Sequence, residues 1–255
     1  MNKIVLDNYE EVCKAAADVF AQQLKEKPDS VLGLAVGSTN IGLYKELVRR
    51  YDAGEIDFSK ARSFNIDEYY PMKKNHPKSH NSIMHSHLFE KTNLAQFSLL
   101  SGETDDPPTE CARYDWEIKA VGGIDIMFLG IGLNGQIGFN EPADSYPMCS
   151  YLVNLSESSI EAGKRYFADD VQPTKALTMG IGGIMRSKKI VLMISGEDKA
   201  QIARMLFQDI VHTDVPGSFL NLHPDVTVIM DMPADGIVLR SAMSAPNTSD
   251  WGIRG

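Results

Sequence analysis

Six short runs dominated by apolar side chains punctuate this chain: Val31 to Val36, Arg62 to Ile66, Ile124 to Leu129, Ala176 to Met179, Ile190 to Ile194 and Val226 to Met230. A strand with one wet face alternates apolar and polar residues, whereas a strand apolar throughout is covered on both faces. Helical patterns lie between several of these runs. Tyr9, Val12, Cys13, Ala16, Val19, Phe20 and Leu24 follow the i, i+3, i+4 spacing, and Pro28 closes that helix. Leu43, Tyr44, Leu47, Val48 and Tyr51 mark a second helix, and Ala200, Ile202, Ala203, Leu206 and Phe207 a late one. Buried strands alternating with helices predict an α/β fold, doubly wound, with a mostly parallel sheet and helices on both faces. No repeat, low-complexity tract or Gly/Ser linker divides the 255 residues, so one domain over 1–255 is expected.

Charge narrows the partners. Asp and Glu number 34 against 25 Lys and Arg, a net charge of −9. That balance opposes a nucleic-acid or anionic-membrane surface, although a phosphate pocket needs only two or three local cations. No run of ~18 apolar residues is present, and the N-terminus MNKIVLDNYEE carries acids where a signal peptide is greasy. Cys13, Cys111 and Cys149 lack CxxC spacing and read as reduced thiols. A cytoplasmic chain is expected.

Three constellations carry candidate chemistry. In VLGLAVGSTNIGLYKEL a strand runs through Gly37, Ser38 and Thr39 into a helix. Such a turn aims backbone N–H groups and hydroxyls at an anion, with the helix dipole adding to the attraction. It reads equally as an ordinary βα turn with Ser38 or Thr39 as N-cap. In FNIDEYYPM, Asp67 and Glu68 directly follow a strand, where a carboxylate is placed as a base or sits in a solvated turn. In IDIMFLGIGLNGQIGFNEP, glycines 130, 132, 135 and 138 surround Asn134, Gln136, Asn140 and Glu141 beyond a strand ending at Leu129. Arg165 and Lys199 follow as separate cations that could meet one phosphate. The stretch from Asn65 to Leu88 is polar and histidine-rich, as suits a functional loop leading to a helix. His76, His80, His85 and His87 within it read as surface or supporting residues.

The set VGST, FNIDEYY, GIGLNGQIGFNEP, Arg165 and Lys199 resembles the glucosamine-6-phosphate deaminase/isomerase family over nearly the whole chain. The resemblance implies a Rossmann-like fold and a substrate that is a 2-amino-2-deoxyhexose 6-phosphate, of glucosamine or galactosamine type. It implies ring opening, proton transfer from C2 to C1 and loss of ammonia to give a ketose 6-phosphate, without metal or organic cofactor. By residue match Asp67 moves the C2 proton and Glu141 belongs to the ring-opening group, while Asn134, also matched to the catalytic set, stands where some members carry aspartate and others asparagine. Gly37, Ser38, Thr39, Arg165 and Lys199 match the phosphate site. The chain departs from the family at Gln136, where the family carries a catalytic histidine. Glutamine donates and accepts hydrogen bonds but does not titrate near neutrality. Two rival readings follow: a sugar-phosphate binding or sensing protein without turnover, and a 6-phosphogluconolactonase-like hydrolase. Monomer and homo-oligomer both remain open.

Overall fold

The computed structural model describes residues 1–167 and 171–236, apart from the side chain of Arg165. In chain order the elements are β1 (Asn2–Leu6), α1 (Tyr9–Glu26), β2 (Val31–Leu34), α2 (Ser38–Asp52), β3 (Arg62–Asn65) and β4 (Asp67–Tyr70). There follow α3 (His80–His87), β5 (Gln96–Ser98), α4 (Pro107–Ala120), β6 (Ile126–Leu129), β7 (Tyr151–Asn154) and α5 (Glu157–Phe167). The last are β8 (Lys175–Thr178), α6 (Ile181–Met185), β9 (Lys189–Ile194), α7 (Ala200–Leu206) and β10 (Val226–Asp231).

Seven strands form one parallel sheet in the order β1-β10-β9-β6-β2-β3-β5. Successive strand residues point to opposite faces, and both faces are apolar here. Leu32, Leu34, Ile126, Phe128, Val191, Met193 and Ile229 pack on one side against α1 and α2 through Val12, Ala16, Phe20, Leu43 and Leu47. Their neighbours Val31, Met127, Leu129, Ile190, Leu192, Val228 and Met230 pack on the other side with Tyr114, Ile184, Ile202 and Leu206 of α4, α6 and α7. The doubly wound expectation thus holds. Phe20 stacks on Phe128 with ring centroids 4.9 Å apart and meets Phe58 edge-on at 5.8 Å.

One predicted strand belongs elsewhere. The Ala176 to Met179 run forms β8, the centre of a three-stranded antiparallel sheet ordered β4-β8-β7. Its apolar character comes from burial on both faces, Leu177 and Met179 in the main core and Ala176 with Phe139 and Leu155, rather than from membership in the parallel set. The polar stretch after Asn65 likewise begins as a strand: Asp67 pairs with Thr178 across β4 and β8.

Chain direction reverses across the sheet between β2 and β6. After β2 the chain adds β3 and β5 on one side, then crosses back to add β6, β9 and β10 on the other, where β10 pairs with the N-terminal β1 at the sheet edge. Adjacent strands leading in opposite directions open a crevice beyond their carboxyl ends, the usual ligand position in open α/β sheets.

Candidate active site

A cavity of about 490 Å³ occupies that crevice. Its walls come from the segments singled out above. Gly37, Ser38 and Thr39 follow β2, Asp67 opens β4, Gly130 to Gly138 follow β6, and Lys199 lies beyond β9.

Gly37 sits at the N-cap of α2, and no side chain caps the helix there. Ser38 and Thr39 therefore do not serve as N-cap side chains, and the first N–H groups of the helix carry their partial positive charge toward the cavity. Tyr9 of α1 braces this turn by donating its hydroxyl to the carbonyls of Ser38 and Thr39, at 3.0 and 2.9 Å. Gly42 N–H donates back to the same oxygen at 2.9 Å. Lys199 donates from Nζ to the Ile131 carbonyl at 2.8 Å, which ties this cation into the wall. Arg165 belongs to α5, which lines the cavity through Ser158, Ser159 and Tyr166; its side chain lies outside the described set.

Asp67 and Glu68 are buried, at 4% and 2% exposure, which removes the solvated-turn reading. Glu68 faces away from the sugar-sized space and caps α3. Its Oε1 accepts from the backbone N–H of Tyr69 and His80, and its Oε2 from that of Asn81. Burial still raises this carboxyl above its ordinary range, against the pull of His80 and those N–H groups. Asp67 Oδ1 lies 2.7 Å from His80 Nδ1. Burial alone would discharge the imidazole, but the charge and hydrogen bond of Asp67, with Glu68 behind, outweigh it and lift His80 to about 9.

The glycine-rich loop needs bare backbone at two points. Gly135 and Gly138 have φ of +84° and +57°, where side chains are disfavoured. A Cβ on Gly138 would also sit 2.9 Å from Thr178 Oγ1 and 3.5 Å from Asp67 Oδ2. Gln136 spans the loop: its Nε2 donates to the Gly138 carbonyl at 3.0 Å, and its Oε1 accepts from Ser159 at 2.5 Å. Asn134 donates to Glu141 Oε2 at 2.7 Å, and Ser156 donates to the same oxygen at 2.8 Å. Glu141 thus reaches the cavity wall through Asn134, and no hydrogen bond joins it to Gln136. Among the described residues no cluster of three His, Cys, Asp or Glu could hold a metal ion.

The crevice therefore brings together Gly37, Ser38, Thr39, Asp67, Asn134, Gln136 and Lys199. The residue that sequence reasoning missed is His80, read there as a supporting histidine with no partner named. Its Asp67 contact spans 13 residues and a turn between β4 and α3. The local signal was Ser79, which accepts from Ser82 N–H as N-cap and places His80 at the first turn of a helix.

An open parallel sheet with a polar crevice at its switch point, walled by a helix N-terminus, a cation and a buried carboxylate, defines a class of α/β proteins that take small anionic ligands. Comparison with known proteins narrows the class. The family model for glucosamine-6-phosphate isomerases/6-phosphogluconolactonase matches residues 7–229, and the chain belongs to that family. A glucosamine-6-phosphate deaminase of Thermoanaerobacter pseudethanolicus is 45% identical over 242 residues, covering 93% of this chain and 95% of the relative. Glucosamine-6-phosphate deaminase 2 of Bacillus subtilis is 46% identical over 239 residues, covering 92% and 96%. A solved structure described as a monomeric glucosamine-6-phosphate deaminase superposes with a TM-score of 0.89 at 39% identity, covering 93% of this chain and 100% of that one. The 6-phosphogluconolactonase of Trypanosoma cruzi superposes with a TM-score of 0.76 at 16% identity, a likeness of fold alone.

Proposed function

We propose that this protein isomerises and deaminates a 2-amino-2-deoxyhexose 6-phosphate to a ketose 6-phosphate and ammonia. The observation that carries the reading is one cavity bordered by a buried carboxylate at Asp67 and, from other strand ends, by the uncapped start of α2 and Lys199. The α2 N-terminus, the Ser38 and Thr39 hydroxyls, Lys199 and Arg165 hold the phosphate. Asp67 takes the proton from C2 of the open-chain aldehyde. The C–H pair becomes the C1–C2 double bond, and the carbonyl oxygen gains a proton. Return of the carbon-bound proton to C1 gives a C2 iminium, which water hydrolyses to ketone and ammonia. Asn134 and Glu141 serve ring opening, where Gln136 contributes hydrogen bonds but no proton. The named relatives favour the glucosamine substrate, and the three free cysteines favour the cytoplasm. Among the described residues no helix is long and apolar enough to cross a membrane.

Ammonia release from glucosamine and galactosamine 6-phosphates, alongside calorimetric binding, tests the reading. Turnover of at least one is expected, and binding without ammonia would replace deamination by sensing. Asp67→Asn should abolish C2 proton exchange in deuterium oxide while leaving affinity within a few-fold. Unchanged exchange would remove Asp67 from the role of base.

A further inference from the structure

The histidines drew attention in the sequence as a cluster, yet only one of them meets the carboxylate assigned as base. His80 is 5% exposed, borders the cavity and points Nδ1 at Asp67 Oδ1 across 2.7 Å, with the Asp67 carbonyl 3.1 Å from the same nitrogen. Two rings fix its plane. Phe139 stacks on it at 6.0 Å between centroids with 14° between planes, and Tyr69 meets it edge-on at 5.1 Å. The second carboxylate oxygen, Oδ2, faces the side of Gly138, where no side chain intervenes.

We propose that His80 is the positioning residue of the Asp67 base, pairing with Oδ1 so that the carboxylate stays ionised in a dry site and presents Oδ2 to the substrate. This rests on the proposed deamination. A carboxylate transferred from water to a buried site tends to protonate, and a protonated Asp67 could take nothing from C2. An adjacent imidazolium opposes that. It also leaves a division of labour: Oδ1 keeps its hydrogen bond throughout, and the lone pair on Oδ2 takes the C2 proton and later gives it to C1. His80 itself neither gains nor loses a proton in the cycle. The chain thus carries its titrating imidazole beside the base, while the glycine-rich loop carries a glutamine.

The charges facing this pair are identifiable. From β4 come Asp67 itself, Glu68 and Tyr69, all buried or nearly so. Tyr44 of α2 and Tyr114 of α4 are close enough to feel the Asp67 charge, and burial keeps both phenols neutral. Tyr166 on the cavity wall and Glu141 behind Asn134 also act on Tyr69. Among these groups His80 is the cation beside Asp67.

Two measurements test the proposal, and the first needs no turnover. Imidazole NMR across a pH titration should show His80 titrating well above the ordinary histidine range in the unmodified chain, and well below that in Asp67→Asn. An imidazole that titrates ordinarily in the unmodified chain would overturn the inference, whatever the enzyme does with amino-sugar phosphates. The second is the pH dependence of kcat/KM for ammonia release in His80→Phe and His80→Asn. Without the imidazolium, the acid limb should move up by about one pH unit or more. A one-unit move makes the phenylalanine variant's extra loss approach ~10-fold on the acid side of the limb and vanish well above it. The asparagine variant keeps a donor toward Oδ1 and should shift less. A folded variant slowed equally at every pH would reduce His80 to core packing and refute the role. Should His80→Phe fail to fold, the asparagine variant and the NMR comparison decide the matter. Absence of ammonia release from the unmodified chain would count against deamination alone, since the NMR result stands independently.

Discussion

Gln136→His puts a titrating group back into the glycine-rich loop, and the structure sets the size of the effect. The glutamine amide is held at both ends, by the Gly138 carbonyl at 3.0 Å and by the Ser159 hydroxyl at 2.5 Å. Its Cγ packs over Gly132, where a Cβ would approach to 2.5 Å, so the bare glycine is what makes room for a side chain at position 136. An imidazole cannot reproduce both ends of an amide. Losing one hydrogen bond costs about 1 kcal/mol, and for a chain of this size a melting temperature lower by ~2–4 °C. Positioned acid/base help is worth ~10²–10⁴ in rate, but only when the group is oriented. Glu141 is engaged by Asn134 and Ser156 and does not touch position 136, so the new imidazole would lack a carboxylate to fix its tautomer. A gain of ~10-fold in turnover, equivalent to ~1.4 kcal/mol off the barrier, is expected rather than the full range. Steady-state ammonia release over pH 5 to 10 reads it. The gain should bring a new ionisation near neutrality, well apart from the higher one of His80. A folded Gln136→His without gain would show that the pocket is built around glutamine, and the ring-opening role of position 136 would be wrong.

Lys199→Ala and Arg165→Ala should each raise KM more than they lower kcat, because a phosphate that does not react is bound equally in ground and transition states. A large kcat loss at unchanged KM would remove them from the phosphate site. Away from the crevice, Glu46 accepts from Arg49 and Arg50, and these hydrogen bonds, Arg49 first, pull its carboxyl down to about 2. A depressed carboxyl stabilises the fold above its unfolded value and loses that contribution as pH falls toward 2. Glu46→Gln should therefore cost ~1 kcal/mol at pH 7, discounted for the exposed Arg49, with the gap to the parent closing between pH 5 and pH 2.5 in denaturant melts. A gap that stays constant with pH would contradict the assignment.

What was legible in the sequence follows from where burial comes from. Strands β2, β6, β9 and β10 are apolar because helices cover them on both sides, and their runs stood out, whereas β3 reads Arg-Ser-Phe-Asn and was legible chiefly through Phe64 and the adjoining Ile66. The strands that escaped notice carry mixed residues. β1 is an edge strand beginning Asn2-Lys3, and β5 is three residues long with an exposed start. β4 reads Asp-Glu-Tyr-Tyr, its acids buried by hydrogen bonds rather than by apolar contact. The site residues at strand ends were visible because a parallel sheet gathers its carboxyl ends. His80 was not recognised as the partner of Asp67, because a turn and a helix start bring the two together, and no periodicity encodes that.

Ile66 is the single residue between β3 and β4, and its two backbone groups are both committed: its N–H to Leu34 at the end of β2, its carbonyl to Met179 beside β8. In the proposed function the phosphate anchor grows out of β2 and the base out of β4, so this one residue would space the two. On the proposed reading it works as a gauge of carbon count. A hexose held by its 6-phosphate offers C2 four bonds along the skeleton from C6, whereas a pentose 5-phosphate anchored at the same place brings C2 one carbon short of Asp67. A pocket so built would discriminate by length before it discriminates by hydroxyl stereochemistry, and would do so with main chain, beyond the reach of most side-chain substitutions.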